Sequence, residues 1–136
     1  MPSEIRTAAL AYMRDRRLLQ TRSVGNPAFY MAGGKIDPGE SATDALYREV
    51  REELDTGILA DSLCELGVFE APAYGHPSGT HLHMTCFVAE LTDEPTPTSE
   101  IAELRYFTVA EYAAMPHVAP GSMLVFRRLA ELGLVD

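Results

Sequence analysis

Five charged side chains, Glu40, Arg48, Glu49, Glu52 and Glu53, crowd into a short stretch that follows Gly33, Gly34 and Lys35. On a helical wheel at ~100° per residue, the segment from Ser41 to Leu54 lines up Ala42, Ala45, Leu46, Val50 and Leu54 on one arc. Glu49 and Glu53 fall inside that arc and Glu52 at its edge. An amphipathic helix ordinarily turns its glutamates away from the core. As i, i+4 neighbours, Glu49 and Glu53 repel one another by about a few tenths of a kcal/mol when solvated, and burial raises that cost. Arg48 can orient these acids but cannot neutralise all three. Something positive should compensate, a divalent cation fits, and an all-oxygen donor set suits Mg²⁺ or Mn²⁺ better than zinc.

The residues ahead of this helix add to the pattern. Gly33 and Gly34 allow close approach of backbone to a ligand, and Gly39 allows unusual dihedrals. Lys35 offers a point charge suited to a phosphate. Glu40, just before the helix start, can reach back to the same place. Glycine loop, lysine, helix start and acidic helix together describe a site for a metal ion and a diphosphate. The commoner explanation of a charge cluster is a solvated helix face, and the inward placement of Glu49 and Glu53 is what argues against it.

The rest of the chain must hold that segment in place. Its 136 residues, 46% of them apolar and 23% charged, suit one globular domain spanning 1–136 and exclude a disordered chain. Six basic and two acidic residues give positions 1–35 a net +4, leaving −13 for the remainder and −9 overall. That balance argues against a nucleic-acid polymer or a membrane surface as partner. The opening residues, Met1 to Arg6, carry no secretory pattern, and Cys64 and Cys86 make no C-x-x-C pair. Both are read as reduced, buried thiols of a cytoplasmic protein.

Hydrophobic patterning predicts strands over 5–13, 18–21, 29–31, 63–74, 81–91 and 101–107. The first two are expected to form a hairpin around Arg14–Arg17, and residues 33–40 to form a loop. In the fifth, His81, His83, Thr85 and Phe87 share one face and Leu82, Met84, Cys86 and Val88 the other. Helices are expected from Ser41 to Leu54, from Thr108 to before Pro116, and from Pro120 to Leu132, with Gly133 as the stop. Strands with helices able to cover them indicate an α/β or α+β class.

Gly34, Glu40, Arg48-Glu49-Val50 and Glu52-Glu53 stand at the spacing of the Nudix box, G-x5-E-x7-R-E-U-x-E-E-x-G-U, and the chain resembles a Nudix hydrolase. The departure lies at the end of the box, where Asp55 replaces glycine and Thr56 the following apolar residue. Asp tolerates left-handed backbone better than most residues, so the helix is expected to end in order.

The resemblance implies an α/β/α sandwich around a mixed sheet. It also implies Mg²⁺- or Mn²⁺-dependent hydrolysis of a nucleoside diphosphate linked to another moiety, by attack of metal-activated water on phosphorus. Glu49, Glu52, Glu53, Glu40 and the Gly33 carbonyl would serve the metal, and Arg48 would hold the glutamates. A further glutamate from a distant loop is implied, with Glu100 favoured over Glu103 and Glu94. Lys35, Gly34, Arg22 and Tyr30 are the candidates for contact with substrate.

Substrate choice is not settled by the sequence. Pro72 and Tyr74 occupy the positions that the family associates with ADP-ribose and with dinucleoside polyphosphates respectively, and a (d)NTP remains a rival. Two other readings within the family are a nucleotide-sensing module without hydrolysis, which an intact box disfavours, and an isoprenoid diphosphate isomerase, disfavoured by the absence of Trp. A homodimer through the apolar strands or the last helix is left open.

Overall fold

The computed structural model describes residues 3–136. Met1 and Pro2, on which part of the reading of the chain's start rests, lie outside them. A mixed four-stranded sheet forms the centre, in the order β4 (Ala32–Lys35), β1 (Glu4–Ala11), β6 (His81–Val88), β5 (Cys64–Pro72). β1 runs parallel to β6 and antiparallel to β4. A smaller antiparallel sheet joins β2 (Met13–Arg14), β3 (Arg17–Ser23) and β7 (Ile101–Phe107).

Helix α1 (Ala42–Leu54) covers one face of the large sheet, and α2 (Val109–Ala113) and α3 (Pro120–Glu131) lie on the other. The alternation along β1 shows why two faces are needed. Ala8 and Leu10 pack with Ala45, Leu46, Val50 and Leu54 of α1, while Ala9 and Ala11 pack with Val125, Phe126 and Leu129 of α3. The expected α/β class and layered architecture are therefore present. So is the alternation in β6: Met84 and Cys86 join the α3 side and Phe87 the α1 side.

Several expectations need correction. Residues 33–35 are not loop but edge strand, with Thr7 opposite Lys35 and Ala9 opposite Gly33. Phe29–Met31 is not a strand and makes only isolated bridges, Tyr30 with Thr21 and Phe29 with Val118. The cause is steric. Gly33 lies at φ +133°, and a Cβ there would collide with the Ala8 carbonyl, so the glycine serves close packing of β4 on β1. The first long strand is likewise divided. β1 ends at Ala11, and after Tyr12 the chain enters the second sheet as β2. It then turns through Asp15 and Arg16, both left-handed at φ 52° and 60°.

Cys64 is exposed rather than buried, because it opens β5, whereas burial of Cys86 pushes its thiol up to about 12. Among the described residues no helix is long and apolar enough to cross a membrane.

Candidate active site

Helix α1 begins with a complete capping box. The Ser41 hydroxyl accepts from the Asp44 N–H, and the Asp44 carboxylate accepts from the Ser41 N–H. It ends at Asp55, which takes the left-handed conformation, φ 52° and ψ 42°, that the family's glycine would supply. The substitution therefore leaves the helix stop intact.

With both ends fixed, the wheel becomes geometry. Ala45, Leu46, Val50 and Leu54 are buried; Glu49 and Glu53 lie partly buried at the border of the same face; Glu52 is exposed. Glu53 accepts a hydrogen bond from the backbone N–H of Gly33 at 2.9 Å. Glu49 packs over Gly34, where a Cβ would stand 2.5 Å from its carboxylate carbon. The second glycine thus makes room for the protein's own carboxylate. We expect Gly34→Ala to fold, to displace Glu49, and to lower turnover by about tenfold. The displacement is read from the crystal structure of the variant and the turnover from steady-state kinetics.

Arg48 organises the remaining acids. Its Nε and Nη2 donate to both oxygens of Glu40 at 2.8 Å each, and Nη1 donates to Glu49 at 2.8 Å. Nη2 also reaches the Lys35 carbonyl at 3.0 Å, Asp37 lies 3.3 Å away, and Glu52 is at 3.5 Å. Glu40 accepts from the Asp37 N–H as well, and Arg48 chiefly holds its carboxyl down to about 2. Glu40 therefore spends its oxygens on Arg48 and the loop backbone. Asp37 is a member of this network that the sequence pattern did not single out.

Glu53 has no such cation among its bonded partners. Burial, followed by the charges of Glu49, Glu100 and Glu52, pushes its carboxyl up to about 7 against the bond from Gly33. Burial also raises Glu49, against the opposing pull of Arg48. Two inward carboxylates thus share too little positive charge, and carboxylate oxygens are the donor type that a hard dication takes. Among the described residues no three acidic, imidazole or thiolate groups already converge at ligating distance. Glu49 is bonded to Arg48 and Glu53 to the Gly33 N–H.

The loop after residue 91 lies against the last turn of α1. Thr96 N–H donates to the Leu54 carbonyl, Thr98 N–H to Glu53, and Thr98 Oγ1 to Glu52 at 2.7 Å. These carbonyls would otherwise lack partners at the helix end. Glu100 follows two residues later, its own carbonyl accepting from Val24 N–H. Its charge reaches Glu49 and Glu53. The other two distal candidates are engaged elsewhere: Glu103 pairs with Arg22 and Arg105, and Glu94 takes a two-pronged bond from Arg14.

A pocket of about 210 Å³ opens on the α3 side of the sheet, reached from Gly33, Gly34 and Lys35. Tyr30 and Tyr74 stand at its rim, ring centroids 6.3 Å apart. Tyr74 shares a 2.8 Å hydrogen bond with Nδ1 of the half-buried His117. Phe29 belongs to the core, edge-on to Phe107. Arg22 does not line the pocket. It is held by Glu103 and the Asn26 carbonyl, with its guanidinium near the Phe29 ring. His81 pairs with Glu70, and His83 lies beside it without a shared ligand partner.

A sheet with helices on both faces and an acidic helix over a glycine edge strand defines a class, and comparison with known proteins agrees with it. The NUDIX domain model matches residues 4–128. The chain belongs to this family. A Bacillus subtilis (strain 168) protein provisionally named 8-oxo-dGTP diphosphatase is 36% identical over 60 residues, covering 44% of this chain and 39% of that protein. The match thus spans well under half of that relative. The solution structure of the E. coli ORF135 protein superimposes with a TM-score of 0.74 at 22% identity, covering 96% of this chain and 91% of that one. A MutT NUDIX hydrolase from Burkholderia pseudomallei gives 0.76 at 20% identity, covering 93% and 98%. At these identities the likeness concerns the fold.

Proposed function

We propose that the chain hydrolyses a phosphoric anhydride in a nucleoside diphosphate linked to another moiety, with Mg²⁺ or Mn²⁺ as the metal. The candidate substrates are a (d)NTP, a nucleotide sugar such as ADP-ribose, and a dinucleoside polyphosphate; the relative's name adds 8-oxo-dGTP to the first group. The observation that carries the reading is Glu53: a carboxylate turned inward beside Glu49, raised to about 7, with no cation bonded to it.

Glu49, Glu52 and Glu53 would hold the dication, with the Gly33 carbonyl beside them and Glu40 contributing through its grip on Arg48. Bound there, the ion would supply Lewis-acid charge to phosphate oxygens and make water more acidic. Arg48 keeps Glu49 ionised and aimed. Lys35, at the mouth of the pocket, would neutralise phosphate charge, and the Tyr30 rim would meet the organic group. Arg22 receives no phosphate role, since its partners are already in place. Glu100 is the proposed acceptor, at its carboxylate, of the proton released by attacking water. The setting we propose is the cytoplasm, where an exposed Cys64 stays reduced.

A screen of these nucleotides with Mg²⁺, followed by identification of the products, tests the reading. Release of a nucleoside monophosphate is expected, and tight binding with no hydrolysis of any of them would favour a sensing module. The loop clamp gives a narrower test. Thr98→Val removes the Oγ1 bond to Glu52 while leaving the backbone bond. We expect kcat to fall about tenfold with KM little changed, and Thr98→Ser to restore it, because the hydroxyl positions the loop that carries Glu100.

A further inference from the structure

The pocket beneath the edge strand has a wall whose chemistry bears on which substrates it separates. Apolar side chains, Met31, Leu82 and Met84 among them, make up most of its surface, with Thr7, His76 and Ser122 as polar interruptions. Among the described residues lining it there is no Asn or Gln, whose amides present a paired donor and acceptor to the edge of a base, and no Asp or Glu carboxylate to accept from one. Asn26 lines a second cleft, beside Tyr30, Tyr74 and His117, and its Oδ1 accepts from the Ala28 N–H.

Backbone groups offer little more along the walls. β1 is hydrogen-bonded on both sides, to β4 and β6, and β6 to β1 and β5, so the strand amides and carbonyls are spent on the ladder. Tyr112 takes the Ala119 N–H and donates to the Phe29 carbonyl. Two methionines add a soft surface that adapts to ring shape.

We infer that this pocket holds the organic end of the substrate by apolar packing and stacking at the tyrosine rim, and so does not separate an oxidised base from its parent. The inference rests on the hydrolase reading above and concerns its specificity. An apolar pocket discriminates by at most about 100-fold against an isostere that adds one oxygen, whereas a site built to hydrogen-bond that group reaches 10⁴-fold or more. The substrate class is therefore nucleoside polyphosphates taken with little regard to the polar edge of the base.

The test compares kcat/KM for dGTP, 8-oxo-dGTP, dATP and dCTP with Mg²⁺. Ratios within about 100-fold support the inference, and a larger preference for 8-oxo-dGTP over dGTP overturns it. If none is hydrolysed while ADP-ribose or a dinucleoside polyphosphate is, the inference fails and the hydrolase reading stands. If no nucleotide of the wider screen is hydrolysed, the hydrolase reading fails, and calorimetric affinities for the same four compounds judge the pocket by the same threshold. No measurable binding of any of them overturns both. A variant sharpens the result. A Cβ at Gly121 would lie 2.6 Å from Leu82 Cδ2, so Gly121→Ala pushes Leu82 into the cavity. A packing pocket should lose affinity for all four compounds by similar factors, and a loss confined to one base would overturn the proposal. Leu82→Ala, which widens the same wall, serves if that variant does not fold; again the four should move together.

Discussion

Glu53→Gln should lower turnover on the order of 10³-fold, the scale expected when charge stabilisation of the reacting phosphate is lost with the dication that Glu53 would hold, while making the metal-free protein more stable at neutral pH. The second half follows from linkage. The carboxyl is raised from 4.5 to about 7 in the folded chain. Below pH 4.5 it is protonated in both states, and the folded form keeps its full advantage. As pH climbs, the unfolded chain releases its proton first, so stability drops through this window and the loss is complete once pH passes about 7. Partial solvent access limits the loss to about 2 kcal/mol. Glutamine carries no proton to lose and can still accept from Gly33. Scanning calorimetry in EDTA should show the variant melting above the parent at pH 8 and level with it at pH 4.5. Added Mg²⁺ should reverse the order by stabilising only the parent. Equal midpoints at pH 8 would mean that Glu53 bears no burial cost.

The second large effect is expected at Arg48. Its fork binds Glu40 with two nitrogens and Glu49 with another. Lysine keeps the charge but gathers its three donors on one nitrogen, so it cannot reproduce the two-pronged bond to Glu40 and reach Glu49 together. Arg48→Lys should lower kcat about 10²-fold and destabilise the fold by about 1–2 kcal/mol, since charge-assisted bonds to ionised partners are the strong ones. A double-mutant cycle with Glu40→Gln isolates the network: if the two substitutions act through one constellation, their combined effect falls well short of the sum of the single effects. Full additivity would show that Arg48 acts without Glu40.

Much of the site was legible before any coordinates, because the signals were local. The wheel placed Glu49 and Glu53 inward from the positions of Ala45, Leu46, Val50 and Leu54, and helix geometry leaves little freedom in that conclusion. Thr108 and Glu111 announced a cap in the same way, and form one. The misreadings share a different origin. Gly33 and Gly34 looked like a loop because glycine weakens an isolated strand, but the requirement came from Ala8 and Glu49, which lie far off in sequence. The engagement of Glu103 by Arg22 and Arg105, and of Glu94 by Arg14, likewise depends on how β3 meets β7 and how a distant loop folds back. No spacing rule reports a partner 80 residues away.

The threonine contacts at the end of α1 carry a consequence for motion. The last carbonyls of that helix are satisfied by Thr96 and Thr98 rather than by a turn of the helix's own. Detaching the loop strips the helix end of its partners, and fraying of the helix end releases the loop. The two segments should open as one cooperative unit, with the amides of Thr96 and Thr98 and those of the final helical turn exchanging with solvent deuterium at a common rate. The carboxylates on that turn and Glu100 beyond the loop would then gain or lose their arrangement together.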